Sequence, residues 1–258
     1  MPDYDILELS GHKAYVYQVT DSTNTRLKAL ARDGESHGSI AAAYEQTSGR
    51  GRMDRKWLSR SGLGAWFSYL IRPEPDTVPS EKASDLVFVS ALSMARALSD
   101  FSVEAQIKWP NDLVIGGKKI CGIMCEMAQS EGFLTWAVAG IGVNLLGCSF
   151  PPDLPWAASV ESETGVKIAP LDLIARFLPH FDNDYRNWLE NGLFETLQNI
   201  APLSATLGNR VVAHLPNGEI TGIALRFRSD GALIIQTENG ECAVAYGDVS
   251  VRGVMGYT

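Results

Sequence analysis

Between residues 45 and 59 the chain reads EQTSGRGRMDRKWLS, placing Arg50, Arg52 and Arg55 among Gly49 and Gly51, with Trp57 two residues on. Arginine stays charged at any relevant pH and offers a planar fork of donors that matches carboxylate and phosphate. Glycines let the backbone come close to a ligand, and successive N–H groups can form an anion-binding nest. The segment is therefore built to close over a phosphorylated or carboxylated small molecule. Two plainer readings compete with this: a solvated basic loop, and an arginine arm for the DNA minor groove. The formal net charge of -8 argues against the second. A Walker loop is excluded because no GK[ST] follows.

A second cluster strengthens the small-molecule reading. KWPNDLVIGGKKICGI places Lys108, Asn111 and Asp112 at a strand end beside a proline-directed bend, with Lys118 and Lys119 on the next strand. A carboxylate near phosphates can take Mg²⁺, which prefers oxygen ligands. A lysine supplies a mobile positive charge for a phosphate or a carboxylate oxygen. Against this, Asn111-Asp112 could be an ordinary turn and Lys118 a solvated hairpin residue. In GIGVNLL, Asn144 follows Gly140 and Gly142 at the end of a strand. It could donate to a ribose or phosphate, or the glycines could serve only close packing. DSTN puts Ser22, Thr23 and Asn24 at a helix start, as a cap or as donors to a carbonyl or ureido group.

These residues need elements to hold them. KAYVYQVT reads as a strand, and DSTNTRLKALARDGE as a helix with Leu27, Leu30 and Ala31 on one face and Gly34 ending it. GSIAAAYEQ and GAWFSYLIR read as strands on either side of the glycine-arginine loop. EKASDLVFVSALSMARALSDF is a helix apolar almost all round and hence buried. AQIKWP, DLVIGGKKICGIMCEM and TWAVAGIGVNLL read as strands, with a hairpin turn at Gly116-Gly117. Helical spacing of Ile174, Phe177, Leu178, Phe181, Tyr185 and Trp188 follows, with a kink expected at Pro179. Beyond Pro202, turn signals at Asn217-Gly218, Asp230-Gly231 and Asn239-Gly240 predict a small antiparallel barrel.

The composition of the 258 residues fits this plan. Hydrophobic residues make up 45%, enough for a real core, and the pI near 5.0 disfavours a broad nucleic-acid surface. No apolar run approaches the roughly 20 residues of a membrane span, and the start shows no signal peptide. Cys121, Cys125, Cys148 and Cys242 form no CxxC pair, which points to buried thiols in a reducing cytoplasm.

In this order, DSTN, GRGRMDRKW, KWPNDL, KKICGI, GIGVN and GDVSVRG resemble the biotin–protein ligases from about residue 12 onward. The resemblance implies an α+β fold: a mixed sheet with flanking helices, similar to class II aminoacyl-tRNA synthetase cores, over residues 1–200, then an SH3-like β-barrel over 201–258. It implies that biotin and Mg-ATP give biotinyl-5′-AMP, and that a lysine of a biotin carboxyl carrier protein domain then accepts the biotin. Ser22, Thr23, Asn24, Gln46, Gly49 and Gly122 resemble residues around biotin. Arg50 and Arg52 resemble the loop that folds over the adenylate, with Arg52 nearest the carboxyl–phosphate linkage. Arg55, Lys108 and Asn111 resemble ATP contacts, Trp57 one near the adenine and Asn144 one to the adenylate. Lys119 resembles the lysine that neutralises both carboxylate and α-phosphate, and Asp112 a catalytic carboxylate and Mg²⁺ ligand. Where many relatives have Asn-Leu-Tyr this chain has GLGAWFSYL, with Trp66 standing for the aromatic. The resemblance further implies a cytoplasmic enzyme, a possible homodimer and no sequence-specific DNA binding, since the catalytic pattern begins almost at once. A lipoate–protein ligase, a biotin-responsive repressor and a non-catalytic biotin or nucleotide module are the alternatives.

Overall fold

The computed structural model describes residues 3–52, 55–147, 150–215, 218–246, 250–253 and 257. Strands β1 (Tyr4–Leu9) and β2 (His12–Thr20) lead into helix α1 (Thr23–Arg32), and the chain returns in β3 (Ile40–Gln46) and β4 (Gly64–Ile71). A short 3₁₀ helix, Ser80–Asp85, feeds α2 (Leu86–Ser99). Then come β5 (Gln106–Lys108), β6 (Asp112–Ile115), β7 (Lys118–Ser130) and β8 (Phe133–Asn144). Helices α3 (Val160–Thr164), α4 (Pro170–Asn191) and α5 (Leu193–Ile200) follow. The chain finishes with β9 (Arg210–Leu215), β10 (Gly218–Phe227), β11 (Leu233–Thr237), β12 (Gly240–Val244) and β13 (Ser250–Gly253).

The first eight strands form one mixed sheet in the order β1-β2-β3-β4-β8-β7-β6-β5. Among its pairings only β2 with β3 is parallel, because α1 carries the chain across between them. The period of two sorts side chains to the two faces. On β2, Tyr15 and Tyr17 join Leu27 and Ala31 of α1, while Ala14 and Val16 face the larger core that takes in α2 and α4. This double coverage explains why every residue of β4 is buried. Helix α2 is buried on most of its circumference, as its all-round apolar sequence predicts. Helix α4 continues through Pro179. The turn between β6 and β7 has Gly116 and Gly117 at φ 56° and 76°, the left-handed pair expected of a two-residue hairpin.

The last five strands form an antiparallel sheet in the order β12-β11-β10-β9-β13, which does not close into a barrel among the described residues. Asn217 of the first turn signal lies outside the described residues. This sheet is welded to the first: Val211, Ala224, Leu233 and Val251 belong to the same apolar cluster as Phe88 and Leu113. Trp109, buried, donates Nε1–H to Gly231 O at 2.9 Å. No helix among the described residues is long and apolar enough to cross a membrane.

Candidate active site

The start of α1 forms a buried polar cluster. Ser22 occupies the N-cap in an extended conformation, yet its side chain makes no capping bond. Gln46 at the end of β3 does that work: its Oε1 accepts from Thr23 N at 2.9 Å and from Thr23 Oγ1 at 3.1 Å. Gln46 Nε2 donates to Ser59 Oγ at 2.8 Å, which fixes the orientation of the amide. Ser68 Oγ lies 2.6 Å from Asn24 Oδ1 and 2.8 Å from Thr23 Oγ1. Ser22, Thr23 and Asn24 are all buried, so this is an ordered polar cluster and not a frayed helix end. Gly140 makes room for it, since a Cβ there would stand 2.1 Å from Asn24 Oδ1.

The glycine-arginine loop folds back on itself. Gly51 N donates to Arg55 O at 2.7 Å and Trp57 N to Gly49 O at 2.9 Å. Gly49 is required at this crossing, because a Cβ would lie 2.5 Å from Trp57 O. The turn lays the Trp57 indole over the floor made by Gly122 of β7 and Gly142 of β8, where added Cβ atoms would meet it at 2.9 and 2.5 Å. Its Nε1 is buried with no hydrogen-bond partner among the described residues. Arg52 Nη1 donates to Asn111 Oδ1 at 2.7 Å, and Asn111 Nδ2 donates to Ile123 O at 2.9 Å. Arg50 Nη2 reaches Glu126 Oε2 of β7 at 3.2 Å.

Beside this loop lies the charged centre. The β6–β7 pairing, with its irregularity between Leu113 and Val114, brings Asp112 opposite Gly122 and lets Lys119 Nζ approach Asp112 Oδ1 to 2.6 Å. The Tyr257 hydroxyl donates to Asp112 Oδ2. Burial alone would raise the Asp112 pKa, but the charges of Lys119 and Lys108 outweigh it and hold the carboxyl below its usual range. Burial pushes Lys108 down to about 8, against the pull of Asp112. Lys108 Nζ sits 4.0 Å from the Tyr257 ring centroid, and Trp156 lies parallel to that ring at 6.1 Å. Lys119 is held through its backbone as well, its N donating to Trp156 O at 2.7 Å and its O accepting from Ala158 N at 2.9 Å.

Among the described residues no three His, Cys, Asp or Glu side chains converge as a metal site. Asp112 is a single carboxylate with one oxygen beside Lys119 and the other bonded to Tyr257. These residues do not fit a resident metal ion.

Most of the residues singled out from sequence thus converge on one face of the sheet. Arg55 is exposed at the end of the loop, and Lys118 pairs with Glu163 at 3.1 Å, as a hairpin residue would. Asn144 is buried and donates Nδ2 to Ala158 O at 3.0 Å, bracing the segment that grips Lys119. Trp66 is buried and meets Trp57 edge-on at 6.4 Å. Four contributors escaped the sequence reading: Ser59, Ser68, Glu126 and Tyr257. Ser68 and Glu126 carried one available signal, a hydroxyl in the apolar strand β4 and a lone charge in the apolar run 120–128 of β7. Of the cysteines, Cys121 is buried with its thiol pushed well up, Cys125 is pushed up to about 12 by burial, and Cys242 is unpaired. Cys148 lies outside the described residues.

Residues 16–144, which contain every candidate from Ser22 to Asn144, match the biotin/lipoate A/B protein ligase family. The chain belongs to that family. Residues 206–252 of this ligase match the biotin protein ligase C-terminal domain. It is 30% identical over 248 residues to the bifunctional ligase/repressor BirA of Bacillus subtilis, covering 95% of this chain and 75% of that one. It is 31% identical over 242 residues to the biotin–[acetyl-CoA-carboxylase] ligase of Paracoccus denitrificans, covering 91% and 98%. Its fold superposes on the Aquifex aeolicus biotin protein ligase in complex with biotin and ATP with a TM-score of 0.81, at 28% identity, covering 93% and 98%.

Proposed function

We propose that this ligase condenses biotin with ATP to biotinyl-5′-AMP and then passes the biotinyl group to a lysine of a biotin carboxyl carrier protein domain. One observation carries the site assignment: the polar cluster at the start of α1 and the Lys119–Asp112 centre lie at two ends of one glycine-floored surface under the arginine loop. Such a surface takes an uncharged ring system at one end and a phosphate at the other. In the first step a carboxylate oxygen of biotin attacks the α-phosphorus, the bond to the bridging oxygen breaks, and pyrophosphate leaves. Both reactants are anions, so cations must cancel their repulsion where they meet. Lys119 and Arg52 do this, with Lys108 on the phosphate side. Asp112 holds the Lys119 ammonium in place at 2.6 Å. Thr23, Asn24 and Gln46 orient biotin, and holding the two groups in line supplies much of the rate. The arginine loop then shields the anhydride from water. In the second step the lysine amine attacks the acyl carbon, and AMP departs with the bridging oxygen.

The C-terminal sheet is the counterpart of the family's SH3-like barrel in this reading. The unpaired cysteines support a reducing cytoplasm, and the exposed Ile6 and Leu7 on edge strand β1 support a homodimer, which sedimentation would test. The deciding experiment is ATP–pyrophosphate exchange with Mg²⁺, comparing biotin with lipoate. Exchange that requires biotin is expected. Exchange with lipoate alone would assign the chain to the lipoate branch, and exchange with neither would end the proposal.

A further inference from the structure

Glu126 gathers three partners from two separate elements onto one carboxylate. Its Oε1 receives Lys28 Nζ at 2.5 Å. Its Oε2 receives Asn24 Nδ2 at 2.8 Å and Arg50 Nη2 at 3.2 Å. Asn24 and Lys28 lie four residues apart on α1 and so share a face of that helix. Glu126 lies four residues beyond Gly122 on β7, on the same face of the sheet as the floor beneath Trp57. The carboxylate thus stands at the rim of the candidate site, and Arg50 is the group that comes to it from the loop.

The energetics favour a directed contact. The Glu126 side chain is 26% exposed and Lys28 19%, so this pair is shielded more than an ordinary surface pair, while Arg50 at 45% lies toward solvent. Burial raises the Glu126 pKa, but Lys28, Asn24 and Arg50 together bring it below the usual range, so it is ionised. Two donors from α1 hold the carboxylate independently of the loop, which lowers the entropy cost of its contact with Arg50. Arg50 thus ties the loop to β7, with a longer contact to Thr25 Oγ1 at 3.4 Å, and Arg52 ties it to Asn111 at the β5–β6 corner.

We propose that Glu126 is a positioning residue for the ligase reaction: Lys28 and Asn24 hold its carboxylate, and it anchors Arg50 so that the arginine loop closes in register over the bound ligand. This rests on the biotin-ligase reading above. Loss of the anchor raises the KM for biotin and leaves kcat for adenylation within about twofold. The expected rise is about tenfold, the scale of one charge-assisted hydrogen bond in a part-exposed setting.

The test measures biotin-dependent ATP–pyrophosphate exchange for wild type, Glu126→Ala, Glu126→Gln, Arg50→Ala and the Glu126→Ala/Arg50→Ala double variant, with thermal melts of each. Glu126→Gln keeps the shape and the acceptor for Lys28, and so carries the test should the alanine variant unfold. The expected result is a higher KM in each Glu126 variant and a double variant little worse than Arg50→Ala alone, because both changes sever one tie. A KM within twofold of wild type overturns the proposal. So does a fall in KM, a loss of kcat at unchanged KM, or full additivity with Arg50→Ala. A wild-type protein without biotin-dependent exchange would instead defeat the enzymatic reading, which keeps the two failures distinct.

Discussion

Replacing Lys119 with alanine removes the cation that stands 2.6 Å from Asp112 Oδ1. Two effects separate. For the chemistry, deleting one preorganised group that stabilises developing charge costs about 10²–10³ in rate, and biotin-dependent exchange should fall by at least that factor. For the fold, breaking a buried ion pair costs about 3–5 kcal/mol. Here the loss is smaller, because Lys119 is 20% exposed and Asp112 keeps the Tyr257 hydroxyl and the charge of Lys108. About 2 kcal/mol remains, which for a chain of this size lowers Tm by roughly 4–8 °C. Acid provides an internal check. In the wild type the depressed pKa of Asp112 stabilises the fold above the ordinary carboxylate range, and that contribution is lost as pH falls through the folded value. Without Lys119, burial is opposed only by Lys108 and the Tyr257 bond, so the folded value lies higher than in the wild type and this stabilisation shrinks. The stability gap between wild type and variant should therefore narrow as pH falls through the carboxylate range in urea unfolding. Exchange within tenfold of wild type from a folded variant would refute the assignment of Lys119. A gap that widens toward low pH would refute the ion-pair account.

Arg52→Gly removes the 2.7 Å bond to Asn111 and adds backbone freedom to the loop; the adenylate should escape and biotinylate bystander lysines, and unaltered acceptor selectivity on a mixture with serum albumin would count against the clamp. Gly140→Ala forces Asn24 away from Ser68 and Glu126, since its Cβ would lie 2.1 Å from Asn24 Oδ1. With two hydrogen bonds lost at about 1 kcal/mol each, the KM for biotin should rise about tenfold or more, and an unchanged KM would exclude Asn24 from the biotin side. Lys108, held at about 8 by burial, should regain its proton when the ATP phosphates approach. Calorimetry at pH 8.5 in buffers of different ionisation enthalpy should show net proton uptake on Mg-ATP binding, and buffer-independent heat would rule this out.

What could be read in advance was local. Arg50, Arg52, Lys119 and the Gly116-Gly117 turn announce themselves through neighbours in sequence, because nests, charge pairs across a hairpin and positive φ are short-range properties. Glu126 meets Asn24 across 102 residues and Ser68 meets it across 44, and nothing in the strand around either residue encodes such a meeting. Strand β1 went unseen because YDILEL puts Ile6 and Leu7 side by side and leaves most of the strand exposed, which erases the period-two signal. Asn144 shows the converse limit. Its type and place suit a nucleotide contact, and the strand around it does not announce the bond its Nδ2 makes to Ala158 O, 14 residues on. Closure of a barrel likewise depends on pairing between first and last strands, which turn residues alone do not specify.

The bond from Trp109 to Gly231 spans 122 residues. At about 5–20 residues per second, a ribosome needs roughly 6–25 s between making the indole and making the carbonyl that receives its N–H. Throughout that interval the KWPND corner has its largest buried ring in place and the wall behind it missing. The charges of Lys108, Asp112 and Lys119 are thus synthesised well before the wall that sets their corner. A nascent chain holding Lys108, Asp112 and Lys119 therefore lacks the contacts that set this corner, from Trp109 to Gly231 and from Tyr257 to Asp112, until the C-terminal sheet has been made.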